Sequence, residues 1–155
     1  MAISYRLSED LELLTDLRMA YIRQDRPGLD QDALEAVRRG VRDFIRQAQS
    51  AGSYLGFIGE IEGQAVCSAS LLIYDLPPLD SAAPRRIGHV LNFFTFKEHR
   101  RKGYGKGLLD FMIRAAKDRG FDRLTLNATP EGYPLYVKCG FGESAYKALR
   151  LPLRD

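Results

Sequence analysis

The chain has no tryptophan, only two cysteines and only two histidines in 155 residues, and this scarcity closes several chemistries at the outset. Cys67 and Cys139 cannot build a disulfide framework, and with only His89 and His99 to join them they do not make a metal-binding cluster. Both read as packed thiols, and no metal site is expected. Long apolar runs are also missing. The richest, "AVCSASLLIY", falls far below a membrane span, and the N-terminal "MAISYRLSEDLELL" reaches acidic residues too early for a secretory segment. The expected compartment is therefore the cytoplasm, with no membrane partner. Charge of one sign is scarce too: 23 Lys and Arg against 20 Asp and Glu leave +3, too mild to argue for nucleic acid by composition. What is present is enough apolar material, 45% of residues, for one sizeable core, so a single domain over residues 1–155 is expected.

Periodicity along the chain predicts an α/β order. A short strand "ISYRL" precedes a helix through Leu11, Leu14, Leu17 and Tyr21, with Ser8 as its N-cap candidate. After "RPGLD", Leu34, Val37, Val41, Phe44 and Ile45 repeat at helical spacing from Asp30 to about Gln49. Two β-rich runs around "EGQ" predict a hairpin, and a surface loop is expected from Leu76 to Gly88. A buried strand follows from His89 to Phe96. Tyr104, Leu108, Met112 and Ala115 then mark a helix closed by Gly120, followed by a strand "FDRLTLNA", a short helix ended by Gly140, and a last strand "SAYKALRLPL".

The basic charge is concentrated in "HRRKGYGK", between the aromatic strand and that helix. The first N–H groups of a helix lack internal partners and carry the positive end of its dipole, so anions bind there. Gly103, Gly105 and Gly107 remove side chains from the approach, while Arg100, Arg101, Lys102 and Lys106 add charge, which suits a pyrophosphate. Alone, the pattern reads equally well as a solvated basic turn. Two nucleotide motifs fail on spacing. The dinucleotide fingerprint needs glycine where Leu108 stands, and a P-loop needs glycine at Arg100 and Ser or Thr at Gly107.

What remains is R-x-x-G-x-G over Arg100 to Gly105, followed some thirty residues later by "YVKCGF". With the strand before it and the amphipathic helix after it, this arrangement resembles the GNAT superfamily of acetyl-coenzyme A-dependent N-acetyltransferases over residues 89–141. The resemblance implies a GNAT-like mixed, mostly antiparallel sheet flanked by helices and splayed between two strands, with acetyl-coenzyme A as co-substrate. It implies pyrophosphate binding by the amides from Arg101 to Lys106, Tyr104 among them, and pantetheine contacts from the backbone of Phe93, Phe94 and Thr95. Asn127 matches a position that often touches the coenzyme arm, and Tyr136 the tyrosine that protonates the departing thiolate. A phenol near pKa ~10 reaches a thiolate of conjugate pKa ~8.5 only with help from position, and without "Y-x-x-x-G-F" around it Tyr136 would read as packing.

The resemblance supplies no general base, since "HVLNFFTF" lacks the carboxylate that some members carry there; Glu60, Asp75, His89 or a water chain are the candidates. Lys97 also stands where members often have proline. The face of Arg38, Arg39, Arg42 and Arg46 reads as solvated helix surface or as a border of the acceptor entrance. The function implied is direct acetyl transfer to a primary amine, on a small molecule or peptide, in a ternary complex. A homodimer is compatible. The alternative is a non-catalytic acyl-coenzyme A-binding module; nucleic-acid binding is a third reading, set aside because phosphate binding already accounts for the basic turn.

Overall fold

The computed structural model describes residues 2–154. Strand β1 (Ser4–Ser8) leads into helices α1 (Leu11–Asp25) and α2 (Gln31–Ser50), then strands β2 (Tyr54–Ile61), β3 (Gln64–Leu76) and β4 (Arg85–Thr95). A single 3-10 turn (Lys97–His99) precedes helix α3 (Tyr104–Asp118), strand β5 (Arg123–Thr125) and helix α4 (Tyr133–Lys138). The strands form one sheet in the order β1-β2-β3-β4-β5, antiparallel except for the parallel pair β4–β5. This is the mixed, mostly antiparallel sheet that the resemblance implies.

Local chemistry sets most boundaries. Asp10, rather than Ser8, caps α1, accepting from the Leu13 amide at 3.0 Å. Ser8 instead closes β1 opposite Gly56, and its hydroxyl accepts from the Asp10 amide at 3.2 Å. Asp30 caps α2 through the Ala33 amide at 2.8 Å. The hairpin turn places Glu62 and Gly63 at φ 51° and 78°, the positive pair that matches the strand twist.

Strand β4 starts four residues earlier than the sequence predicts. Leu76 pairs with Arg85 and Asp75 with Arg86, and Ile87 is buried, so the loop shrinks to residues 77–84. Two arginines and Gly88 hide the apolar alternation, but β3 offers a ladder to pair with. Strand β5, conversely, is only three residues long. The last predicted strand does not form: every residue from 142 to 154 is exposed. A strand pattern becomes a strand only beside a partner, and here the chain offers it none.

The core has two layers. On one face of the sheet, Leu108, Leu109, Met112, Ala115 and Ala116 of α3 pack on Phe57, Val66, Ala69, Leu71 and Val90. On the other, Leu14 of α1 and Ile45 and Ala48 of α2 pack with Tyr54. Leu108, Leu109 and Met112 are fully buried, so truncating any one to alanine is expected to cost about 2–5 kcal/mol. Two arginines of that face of α2 turn toward α1, Arg38 pairing with Asp16 at 2.6 Å and Glu12 at 3.3 Å and Arg42 with Glu12 at 2.5 Å, whereas Arg46 pairs with Asp43 of its own helix. Those charges clasp two helices.

Candidate active site

Strands β4 and β5 part company early. They pair only from Ile87–Arg123 to His89–Thr125, and the last rung is held by His89 Nδ1 and Thr125 Oγ1 at 2.8 Å. From Val90 to Thr95, β4 therefore has one edge that no strand covers. Opposite Ala69 it also carries an extra residue, because Leu91 faces Ser70 while Phe94 faces Ser68. Asn92 takes the strain of this bulge at φ 59°, a left-handed conformation that asparagine tolerates better than most residues. The bulge re-aims the following rings. Phe93 meets Tyr136 with centroids 5.7 Å apart, and Phe94 is buried edge-on against Phe96 and Tyr21.

The chain then turns into α3. Arg101 at φ 60° and Gly103 at φ 82° bring it round, and no side chain caps the first turn of the helix. The amides that open the helix thus remain available to an anion. A Cβ on Gly105 would sit 3.4 Å from the Phe93 ring and 3.5 Å from Thr95 Oγ1, so this amide end lies directly against the end of β4. Gly107 has a different task. A Cβ there would come within 2.1 Å of the Tyr5 hydroxyl, which donates to the Tyr104 carbonyl at 3.0 Å and docks α3 onto β1. The third glycine of the turn makes room for protein, whereas the sequence alone suggested room for phosphate.

The basic residues divide likewise. Arg101 and Lys102 are exposed beside the uncapped amides. Arg100 faces inward: its Nε donates to the Thr95 carbonyl at 2.9 Å, its guanidinium also bonds Gln24, and it lies 6.0 Å over the Phe94 ring. Arg100 therefore ties the turn to β4 and α1. Lys106 pairs with Asp110 at 2.7 Å, which raises its pKa.

Tyr136 lies on α4, half-buried between Phe93 and Phe141. Burial, and then the neighbouring Tyr21, push its phenol above the ordinary value, so it holds its proton throughout the neutral range. Asn127 is exposed just beyond the end of β5, on the far bank of the opening. The base candidates are engaged elsewhere: Glu60 pairs with Arg6 at 3.0 Å, Asp75 with Arg86 at 3.6 Å, and His89 with Thr125. Asp75 lies opposite Arg86, nine positions from Thr95, or ~30 Å along the strand.

Three residues join the site that sequence reasoning missed. A cavity of about 310 Å³ lies between α1, α2 and the middle of the sheet, bordered by Arg18, Phe44, Tyr54, Ser70 and Asn92. The Tyr54 and Ser70 hydroxyls satisfy each other at 2.6 Å, whereas the buried Oδ1 of Asn92 has no hydrogen-bond partner. Arg18 lies 5.2 Å over the ring of Tyr21, the residue that also touches Phe94. An asparagine interrupting an aromatic strand was the available signal; Arg18 and Tyr21 carried none beyond their helical spacing.

Comparisons with known proteins agree with this geometry. The family model described as "Acetyltransferase (GNAT) family" matches residues 14–141. A predicted acetyltransferase from Clostridium acetobutylicum, crystallised with acetyl-CoA, superposes with a TM-score of 0.82 at 24% identity, covering 98% of this chain and 97% of that one. A GCN5-related N-acetyltransferase from Ralstonia eutropha JMP134 gives 0.76 at 27% identity, covering 97% and 99%. Glucosamine 6-phosphate N-acetyltransferase 1 from Oryza sativa subsp. japonica is 34% identical over 58 residues, which span 37% of this chain and 35% of that protein. The chain belongs to the acetyltransferase (GNAT) family and is an acyltransferase, with acetyl-coenzyme A, the family's co-substrate, as its acyl donor.

Proposed function

We propose that the protein is an N-acetyltransferase that moves acetyl from acetyl-coenzyme A to a primary amine by direct attack in a ternary complex, within one domain spanning residues 1–155. The observation that carries this reading is the fork where β4 leaves β5, because it opens beside both an uncapped helix start and a protonated tyrosine. The amides from Arg101 to Lys106 hold the pyrophosphate, with Arg101 and Lys102 adding charge at the surface. The uncovered backbone of Phe93 to Thr95 aligns the pantetheine arm and donates toward the thioester oxygen as negative charge develops there. Asn127 holds the arm from the β5 side. Tyr136 delivers its proton to the leaving thiolate, and its burial keeps that proton in place until the sulfur departs.

The acceptor side is read in the cavity bordered by Arg18 and Asn92. An amine needs an acceptor for its N–H, and the unpaired Asn92 Oδ1 is a buried acceptor adjacent in sequence to Phe93. With Glu60, Asp75 and His89 engaged elsewhere, proton removal from the amine is assigned to water in this cavity. Two unpaired thiols suit a reducing compartment, and no helix among the described residues is long and apolar enough to cross a membrane; both fit a cytoplasmic enzyme.

The test is thiol release from acetyl-coenzyme A across a panel of amino sugars, polyamines, aminoglycosides and peptides, with the wild type and Tyr136→Phe compared on the best acceptor. The expected result is kcat lowered on the order of 100-fold with coenzyme affinity retained. Unchanged kcat would remove Tyr136 from the chemistry. Tight coenzyme binding without thiol release for any amine would favour a binding module.

A further inference from the structure

Four polar side chains, those of Arg18, Tyr54, Ser70 and Asn92, border a cavity whose walls are otherwise apolar. Val41, Phe44 and Ile45 of α2 line it from one side and Leu91 of β4 from the other, and Phe44 stays 52% exposed although it is among the largest of them. Gly40 borders it as bare backbone. A Cβ there would meet nothing within 4 Å, so packing does not call for glycine in the middle of α2, where it is a poor helix former. What its missing side chain leaves open is the rim of the cavity. Of the polar groups, the Tyr54 and Ser70 hydroxyls are engaged with each other at 2.6 Å. Arg18 and the unpaired Asn92 Oδ1 remain for a ligand.

Arg18 is half-buried and stacked over Tyr21, which holds the plane of its guanidinium. Among the described residues no carboxylate pairs with it. The nearby acids of α1 and α2 serve other arginines, Glu12 and Asp16 holding Arg38 and Arg42 while Asp43 holds Arg46. Its charge is felt inside the cavity. Burial raises the Tyr54 phenol, and the Ser70 hydrogen bond and then Arg18 pull it back. We infer that the acceptor is an amine with an apolar body and one free carboxylate, held by Arg18 at the carboxylate and by Asn92 at the amine, with free apolar amino acids as its smallest members. This rests on the N-acetyltransferase reading: the nitrogen bonds the acetyl carbon, the carbon–sulfur bond breaks, sulfur takes a proton from Tyr136, and nitrogen gives one to water. Charge and polarity select the class. Arg18 is the one charged residue bordering the cavity among the described residues, so it balances a single carboxylate, whereas a phosphate monoester, at about −1.5 to −2, exceeds it. A polyamine would bring further cations against the guanidinium, and a sugar would lose water from its hydroxyls against apolar walls.

The experiment follows thiol release from acetyl-coenzyme A by the full chain with leucine, phenylalanine and the dipeptide leucyl-leucine, each beside its C-terminal amide, and with glucosamine 6-phosphate and spermidine. Each pair shares a body and an amine and differs in the charge at issue. For at least one pair the kcat/KM of the acid is expected to exceed that of the amide on the order of 30-fold, although the amide's amine is the more easily deprotonated. Arg18→Gln is expected to abolish that preference and Arg18→Lys to restore part of it, with retained acetyl-coenzyme A affinity showing that both variants fold. The wild-type comparison needs no variant. Acids and amides used equally overturn the inference, and a preference that survives in Arg18→Gln removes Arg18 from it. Glucosamine 6-phosphate or spermidine used better than every acid overturns it while the N-acetyltransferase reading stands. No thiol release with any amine sinks that reading and this inference with it.

Discussion

Strand β4 divides the site into two regions built from different material. On its α3 side, the groups left open are mostly backbone: the amides that open α3 and the uncovered edge of β4 itself. On its α1–α2 side the surface is made of side chains, with Arg18, Phe44, Tyr54, Ser70 and Asn92 brought together from five elements. A seat made of amides tolerates most side chains and is sensitive chiefly to glycine, because only added bulk or charge can close it. A pocket made of side chains can change its occupant by substitution without disturbing the fold.

The sharpest way to break this comparison is Gly105→Asp. A Cβ fits there at ordinary contact distance, so the carboxylate tests charge more than fold. Affinity for acetyl-coenzyme A, measured by titration calorimetry, is expected to fall on the order of 100-fold, since the carboxylate repels the pyrophosphate and itself competes for the amides that open the helix. An unchanged affinity would move the pyrophosphate elsewhere. Two residues on, Gly107→Ala should do the opposite. Its Cβ meets the Tyr5 hydroxyl, so unfolding in denaturant is expected to show a loss of about 1–3 kcal/mol with coenzyme affinity intact.

Asn92→Ala probes the other bank. The KM for the acceptor should rise about tenfold, the worth of one buried hydrogen bond, while the KM for acetyl-coenzyme A holds. If both constants rise together, Asn92 acts by shaping the bulge and makes no contact with the acceptor.

The smallest effect is a pH dependence. Burial raises the pKa of Cys67 from 9.0 to about 11, and it raises those of Tyr5, Tyr54 and Tyr136 above 10.0. The folded state therefore holds these protons after the unfolded chain has released them. Their contribution to stability is complete below pH 9 and is lost as pH rises through 9 and 10 toward the folded values. Melting temperature should decline across that window, and a flat profile would show that these groups are solvated.

Legibility followed the range of the interactions. The turn from Arg100 to Gly105 could be read because a strand, a glycine at positive φ and an uncapped helix are neighbours in sequence. Asp10 displaced Ser8 as the cap of α1 by a choice between two nearby oxygens, one already occupied in a buried strand end. The start of β4 at Arg85 was hidden because β3, and no local preference, supplies its ladder. Gly107 was misassigned for a similar reason: nothing in its neighbourhood announces Tyr5, which is a hundred residues away.

By itself, then, the sequence determined the helices, the hairpin and the basic glycine turn, from patterns that close within a dozen or so residues, and the family, from that turn together with a second motif some thirty residues on. Only the tertiary structure decided that Tyr136 packs on Phe93, that Arg100 turns inward, and that Arg18 and Asn92 border one cavity. It also left the tail from 142 without a partner. Each of these depends on which distant surfaces meet, and that is set by the packing of two helical layers on one sheet, which no local pattern encodes.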